Sequence, residues 1–172
     1  EASCASVRDE STGSLVPTQL NATGVFFKAT VPGFGISIFT VNIDNDRRHK
    51  VCSAKAVIAT KGPARLENQA VAVLIDADSK VSGLQDKISN VNTTLQMQYG
   101  LYENVQGGAY SMVETQKSTP QTSLKLESIV EGPVFSEATF SGEKIKQTIR
   151  IAATADPLVR VTHELLQPNP LK

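Results

Sequence analysis

The sequence predicts an all-β fold, most of it a β-sandwich. Short runs of residues alternate between apolar and polar at every second position. That period is typical of a strand with one face in a core and the other in water. Turn-forming pairs separate the runs, and no long segment has the period of a helix. Many short strands with such punctuation indicate a sandwich.

The clearest alternation lies in the last third of the chain. In 144–151, isoleucines occupy one face, and lysine, threonine and arginine occupy the other. In 159–165, valine, leucine and His163 share one face, opposite arginine, threonine and glutamate. Both segments are therefore predicted strands with one buried face. A similar pattern predicts further strands at 25–31, 36–43 and 124–130.

Pairs of turn-forming residues mark the ends of these strands. Glycine supplies backbone angles that other residues avoid, proline fixes its own, and aspartate and serine bond nearby amides. These pairs predict tight connections rather than long crossovers. They are Thr12-Gly13, Pro32-Gly33, Gly132-Pro133, Ser141-Gly142 and Asp156-Pro157.

The chain is predicted to contain two β units joined by a connecting segment. Residues 1–43 form a small β domain, and residues 65–172 form a larger unit. The connection, 44–64, contains several charges, a Lys-Gly-Pro step and one β-rich stretch at 51–59. Six phenylalanines, three tyrosines and no tryptophan are few for a sandwich core. The core is therefore expected to pack against further sheets outside this chain.

Composition argues against nucleic acid and membranes as partners. The 172 residues include 17 basic and 17 acidic side chains, and the only sizeable basic run is 47–50. A nucleic-acid or membrane surface needs a clustered excess of lysine and arginine. No apolar stretch approaches the roughly 18 residues of a membrane span. Residues 1–4 lack the features of a signal peptide, so a secreted chain would have lost its signal or would be an internal piece.

The cysteines and the glycosylation sequons indicate the cellular compartment of the protein. Cys4 and Cys52 are too few for a zinc knuckle, so they form either one disulfide or two free buried thiols. Asn21 and Asn92 each begin an Asn-x-Thr sequon and are possible glycosylation sites. Together these features favour passage through the secretory pathway.

The sequence offers no catalytic centre of its own. The only histidines, His49 and His163, fall in different parts of the chain, and zinc needs three or four ligands. No Gly-x-Ser-x-Gly elbow occurs, and neither cysteine has a local base. His163 lies on an apolar strand face, where we expect a core histidine whose ring nitrogens have hydrogen-bond partners, rather than a metal ligand.

Two short motifs leave alternatives open. Asp76 and Asp78 share a face of an extended segment and are candidates for acid/base work on a glycoside. The structural alternative is a β-turn at 76–80 with the acids bonding backbone amides. The run 107–110, Gly-Gly-Ala-Tyr, is either a turn or a backbone that delivers Tyr110 to a sugar or a wet interface. These residues alone predict a binding or scaffolding role.

An ordered set of residue blocks resembles the middle, post-catalytic β region of the retaining α-mannosidases of glycoside hydrolase family 38. The match covers nearly the whole chain, and it is the order of the blocks with their gaps that is specific. Two later segments, 132–137 and 145–164, look like the following strands of the same sandwich. The blocks are 7–20, 26–29, Thr-Val-Pro-Gly-Phe-Gly-Ile-Ser-Ile-Phe at 30–39, Leu-Glu-Asn at 66–68, 73–84 and Gly-Gly-Ala-Tyr at 107–110.

The resemblance implies an all-β segment in which a small β domain precedes the first part of a large antiparallel sandwich. It implies that the nucleophile, the acid/base and the zinc ligands lie in other segments of the enzyme, so this chain itself holds no cofactor. Tyr110 matches a family tyrosine that lines the mannose pocket. The implied partners are those other segments and an α-mannoside or N-glycan substrate, in a lysosome, a vacuole or outside the cell.

The chain departs from the family pattern at three places, one of which is 111–114, where Ser-Met-Val-Glu replaces an apolar, then proline-containing continuation. Gly107 replaces the usual serine before Tyr110, and His163 stands where a bulky apolar residue is usual. The shape of the loop around Tyr110 is therefore open. The alternative function is a stand-alone, non-catalytic β-sandwich that binds carbohydrate or mediates adhesion.

Overall fold

A computed structural model describes residues 4–21, 24–44, 55–57, 63–97, 99–102, 118–121 and 124–166. Every regular element in these residues is a strand, so the predicted all-β class is confirmed. None of them forms a helix with the length and hydropathy that crossing a bilayer requires. The strands are β1 (Cys4–Asp9), β2 (Ser14–Val16), β3 (Thr18–Asn21), β4 (Gly24–Phe27), β5 (Phe39–Asp44), β6 (Lys55–Val57), β7 (Ala64–Glu67), β8 (Val71–Ile75), β9 (Val81–Asp86), β10 (Val91–Thr94), β11 (Tyr99–Tyr102), β12 (Ser118–Gln121), β13 (Lys125–Glu131), β14 (Phe135–Ser141), β15 (Ile145–Ala152) and β16 (Val159–Leu165).

The two largest sheets form a β-sandwich-like pair around one core. One sheet has the strand order β10-β9-β8-β7, and the other has the order β16-β15-β14-β13-β6. All the pairings within them are antiparallel. Burial of apolar side chains between the sheets is the main stabilising contribution. The core consists of Leu66, Val71, Val73 and Ile75 from the first sheet and Leu126, Ile129, Ala138, Phe140, Ile149 and Ile151 from the second.

Strand β15 follows its predicted alternation, whereas β16 does not bury its apolar face. In β15, Ile145, Ile149 and Ile151 are buried and the residues between them are half-buried or polar. Val161 pairs with Ile149, and Leu165 pairs with Ile145. Both nevertheless remain exposed, at 39% and 70%. β16 is the terminal strand of its sheet in the described part of the chain, and of its apolar side chains only Val159 packs against the core.

The small N-terminal region has a core of its own. Strands β2, β1 and β5 form a three-stranded sheet, and β3 pairs with β4 as a hairpin. Val7 is completely buried at the centre of β1. The ring of Phe27 lies 5.1 Å from the ring of Phe39, which joins the hairpin to the sheet. The domain boundaries at 43 and 65 stay predictions; the segment between them contributes β6, which pairs with β13.

The β3–β4 hairpin packs on the reverse face of the five-stranded sheet. Phe26 meets Phe135 edge-on, with 5.1 Å between ring centroids. The guanidinium of Arg150 lies 4.0 Å from the Phe135 ring centroid and forms an ion pair with Glu137. Aromatic pairs and cation–π contacts of this kind add to simple area burial. The small region is therefore attached to the sandwich by specific contacts.

A buried amide completes this attachment. The side chain of Gln19 is 1% exposed, and its Oε1 accepts hydrogen bonds from the backbone N–H groups of Val134 and Phe135 at 3.2 and 3.0 Å. Its amide lies directly over Gly132, where a Cβ atom would collide with it. A side chain at position 132 would therefore displace the buried Gln19 amide.

Asn68 ties the two sheets of the sandwich together. It follows β7, and its Oδ1 accepts hydrogen bonds from the N–H groups of Ala70 and Val71, both at 2.8 Å. Its Nδ2 donates to the carbonyl of Ala152 at 2.9 Å and to that of Asp156 at 2.7 Å. One side chain thus shapes the β7–β8 turn and holds it against the β15–β16 loop.

Replacing Asn68 with alanine is expected to lower the free energy of unfolding by about 2–6 kcal/mol, since four hydrogen bonds are lost at roughly 0.5–1.5 kcal/mol each. Urea unfolding measures this change. Gln69→Ala is the matched control, because Gln69 is an exposed neighbour. Asn68→Asp keeps the two acceptor bonds but places a charge against two carbonyl oxygens, so it should also destabilise the protein. Equal stability of Asn68→Ala and Gln69→Ala would show that Asn68 does not join the sheets.

Candidate functional site

The structure describes some of the predicted site residues and not others. Tyr110 and Cys52 lie outside the described residues, so the sugar-binding role and the cysteine pairing stay predictions; Cys4 is the first residue of β1. Asn21 ends β3 and is half-buried, whereas Asn92 lies in β10 and is exposed. Both sequon assignments stay predictions.

Tyr110 belongs to the segment that connects two paired strands. Strand β11 precedes this segment and β12 follows it, and the two are antiparallel neighbours. Tyr102 is in register with Ser118. Tyr102 and Ser118 therefore lie side by side at one end of a hairpin, which we call the β11–β12 hairpin. The contacts that hold this hairpin therefore also fix the positions of Tyr102 and Ser118, which flank residues 103–117 in the sequence.

The β11–β12 hairpin is held to the sandwich by Tyr99 and His163. The Tyr99 hydroxyl lies 2.6 Å from Nε2 of His163, and the two rings meet edge-on at 5.2 Å. Gln147 is 2% exposed and stands opposite His163 on β15. Its Nε2 donates to the sulfur of Met97 at 3.6 Å. A phenol, an imidazole and an amide thus form one polar cluster at the rim of the core face.

Burial raises the pKa of the Tyr99 hydroxyl, and a hydrogen bond with Gln147 opposes that shift. The neutral phenol can donate one hydrogen bond and accept another. It therefore suits an anchoring role between β11 and β16, whose residues lie far apart in the sequence. The expectation of a core histidine at His163 is wrong with respect to burial, since the residue is exposed; its ring nevertheless has a partner.

Asp76 and Asp78 lie in a turn, which is the structural alternative to acid/base work. The Oδ1 of Asp76 accepts a hydrogen bond from the Lys80 N–H at 2.9 Å, and its carbonyl accepts one from the Ser79 N–H at 3.0 Å. Ser79 has a φ of 63°, which the tight connection between β8 and β9 requires. Asp78 is exposed on this turn. The carboxylate of Asp76 therefore caps a turn, as Asx residues do.

The described residues provide no ligand set for the zinc that the family resemblance implies. Within the ranges given above, no three His, Cys, Asp or Glu side chains are grouped closely enough to hold a metal ion. Three or four such ligands are what a zinc site needs.

Comparison with protein-family models and with curated proteins gives no match for this chain. The resemblance to family 38 thus depends on the residue blocks and on where they fall in the fold. Sequence reasoning missed the contact between Tyr99 and His163, and the only available signal was the place of His163 on the apolar face of β16.

The raised pKa of Tyr99 predicts a stability loss at alkaline pH. A raised pKa in the folded state means that the neutral phenol is favoured by folding. This contribution is complete below the ordinary tyrosine value of 10.0 and is lost as the pH rises through the higher folded value. Urea unfolding midpoints measured on both sides of pH 10.0 should therefore fall less in Tyr99→Phe than in the native chain.

Tyr102→Phe controls for the loss of another tyrosine hydroxyl from the same strand. An identical alkaline loss in the native chain and in both variants would contradict a role for Tyr99 in this pH dependence.

Proposed function

We propose that this chain is a segment or processed chain of a retaining α-mannosidase of the family 38 type, which trims terminal α-mannose from N-glycans. In it the chain supplies a supporting β region and one sugar-pocket tyrosine, Tyr110. The observation that carries the proposal is the order of the residue blocks, three of which fall at structural boundaries in the described part of the chain. The turn at 32–35 precedes β5, Leu-Glu-Asn at 66–68 closes β7, and the 76–80 turn joins β8 to β9.

The proposed role of Tyr110 is orientation rather than bond making. Retaining glycosidases form a covalent intermediate through a carboxylate nucleophile and use a second carboxylic acid as the acid/base. Both belong to other segments under this proposal. A phenol held beside the sugar contributes one directed hydrogen bond, which helps only if its position is fixed. The anchoring of the β11–β12 hairpin by Tyr99 and His163 supports such fixation.

Exposed apolar side chains support the idea that other segments of the same enzyme cover this chain. They are concentrated in the loop before β5 and in β5 itself. The ring of Phe34 is fully exposed, and Ile36 is 92% exposed. Contiguous apolar surface of this kind commonly marks a protein interface. The exposed residues are Val31, Phe34, Ile36, Ile38, Val41 and Ile43.

One observation favours the alternative, a stand-alone β-sandwich that binds carbohydrate or mediates adhesion. The two sheets already share a core of ten buried apolar residues, and the small region has its own. A domain with such cores can fold without neighbours. In that case the chain would be a monomer that binds glycans unaided.

Purification from the native source separates the two functions. If the chain is part of an α-mannosidase, mass spectrometry will find in the same particle peptides of the N-terminal α/β barrel and the helical bundle, which carry the nucleophile and the zinc ligands in enzymes of the family 38 type. The particle will also hydrolyse an aryl α-mannoside. The 172-residue chain produced alone will have no such activity. A monomeric chain that binds mannosides without these partners would instead establish the alternative.

Replacing Tyr110 with phenylalanine in the assembled enzyme is expected to lower turnover about tenfold or more, the scale of one oriented hydrogen bond in the transition state. Steady-state kinetics on an α-mannoside measures this effect. Asp78→Asn is the matched control, because Asp78 is an exposed turn residue and should leave turnover unchanged. Unchanged kinetics in Tyr110→Phe would assign that residue to packing.

A further inference from the structure

Strand β10 forms an exposed edge of the sandwich. It pairs with β9 on one side and is the terminal strand of its sheet in the described part of the chain. All four of its residues are exposed, including Val91 at 53%. A terminal strand presents unpaired backbone N–H and C=O groups, which invite pairing with another chain. Such an edge is normally protected.

Other edges of the sandwich carry charges, and β10 carries none. The opposite edge of the same sheet, β7, contains Arg65 and Glu67, and the edge strand β16 contains Arg160 and Glu164. By contrast, residues 88–102 include no charged residue and no proline. Uncharged β-prone segments without proline are the ones that aggregate when exposed. The sequence therefore leaves β10 without the usual side-chain protection.

The sequon at Asn92 lies in the middle of this edge strand and on the correct face. Asn92 pairs with Gln85, whose Oε1 accepts a hydrogen bond from Arg65 at 2.6 Å on the polar outer face of the sheet. The neighbouring Thr93 pairs with Leu84, which packs towards the core. The side chain of Asn92 therefore points away from the core, with open solvent beyond it.

We propose that Asn92 carries an N-linked glycan and that this glycan protects the β10 edge against strand pairing. The inference rests on the secretory passage contained in the proposed function. In the transfer, the amide Nδ2 of Asn92 displaces a polyprenyl diphosphate from C1 of its oligosaccharide. A C–N bond forms, a C–O bond to the diphosphate breaks, and Nδ2 loses one proton. The transferring enzyme recognises the acceptor asparagine together with the hydroxyl of Thr94, which the Asn-x-Thr pattern supplies.

The other sequon serves as an internal comparison. Asn21 is half-buried in the β3–β4 hairpin, and its Oδ1 accepts a hydrogen bond from the Gly24 N–H at 3.2 Å. That hairpin faces the five-stranded sheet through Phe26 and Phe135. A glycan on Asn21 would protect no part of β10. Occupancy of the two sites can therefore be scored separately.

Peptide mapping of the secreted protein tests the proposal. Tryptic cleavage separates the sequons, because Asn21 lies in peptide 9–28 and Asn92 in peptide 88–117. Treatment with a peptide N-glycosidase in heavy-oxygen water converts a glycosylated asparagine into labelled aspartate. Label at residue 92 is the expected result. An unlabelled 88–117 peptide overturns the proposal, whether or not 9–28 is labelled, while the mannosidase assay judges the proposed function independently.

Two variants test the protective role. Thr94→Ala removes the sequon, whereas Thr93→Ala keeps an Asn-Ala-Thr sequon and makes a similar change in the same strand. The glycosidase-sensitive mass shift at residue 92 should be lost in Thr94→Ala and retained in Thr93→Ala. Sedimentation of the secreted protein should show aggregation in Thr94→Ala alone. Equal aggregation of the two variants, or none in either, would contradict the proposal that the glycan protects the β10 edge.

Discussion

The packing of the four-stranded sheet against the five-stranded sheet is the interaction on which every other feature of this chain depends. Ten buried apolar side chains lie between the sheets, and Asn68 joins their ends through hydrogen bonds to both. This packing determines which face of each strand is inward. The strand order within each sheet determines which strands become edges, and the edges are where the chain meets solvent or other molecules.

The five-stranded sheet is the middle layer of the described structure, because its reverse face is also covered. In β14, Ala138, Thr139 and Phe140 are buried in succession, which a strand with one solvated face would not show. The cover on the reverse side includes the β3–β4 hairpin through Phe26, Phe135 and Arg150. The small region is thus attached to the sandwich through this hairpin.

Alternation in the sequence predicted the class of fold and the inward face of β15, because a period of two depends only on neighbouring residues. It could not show which strand is terminal, nor that Val161 on β16 is exposed. Nor could it show the contact of Tyr99 with His163 or the bonds of Asn68 to Ala152, which join residues 64 and 84 positions apart. The turn at Asp76 could be predicted from the sequence, because an Asx turn depends only on neighbouring residues.

The structure exposes an apolar surface at β5 and a polar edge at β10. This contrast indicates how the chain would be oriented within the proposed enzyme. The loop before β5 and β5 itself expose Ile36, Ile38 and Val41, which favour contact with protein. The β10 edge exposes Asn92 and Thr94, which favour contact with water or a glycan. If Asn92 carries the proposed glycan, β10 has to lie on the outside of the proposed assembly. Partner segments would therefore approach from the β5 side of the chain, while β10 remains on the outer surface.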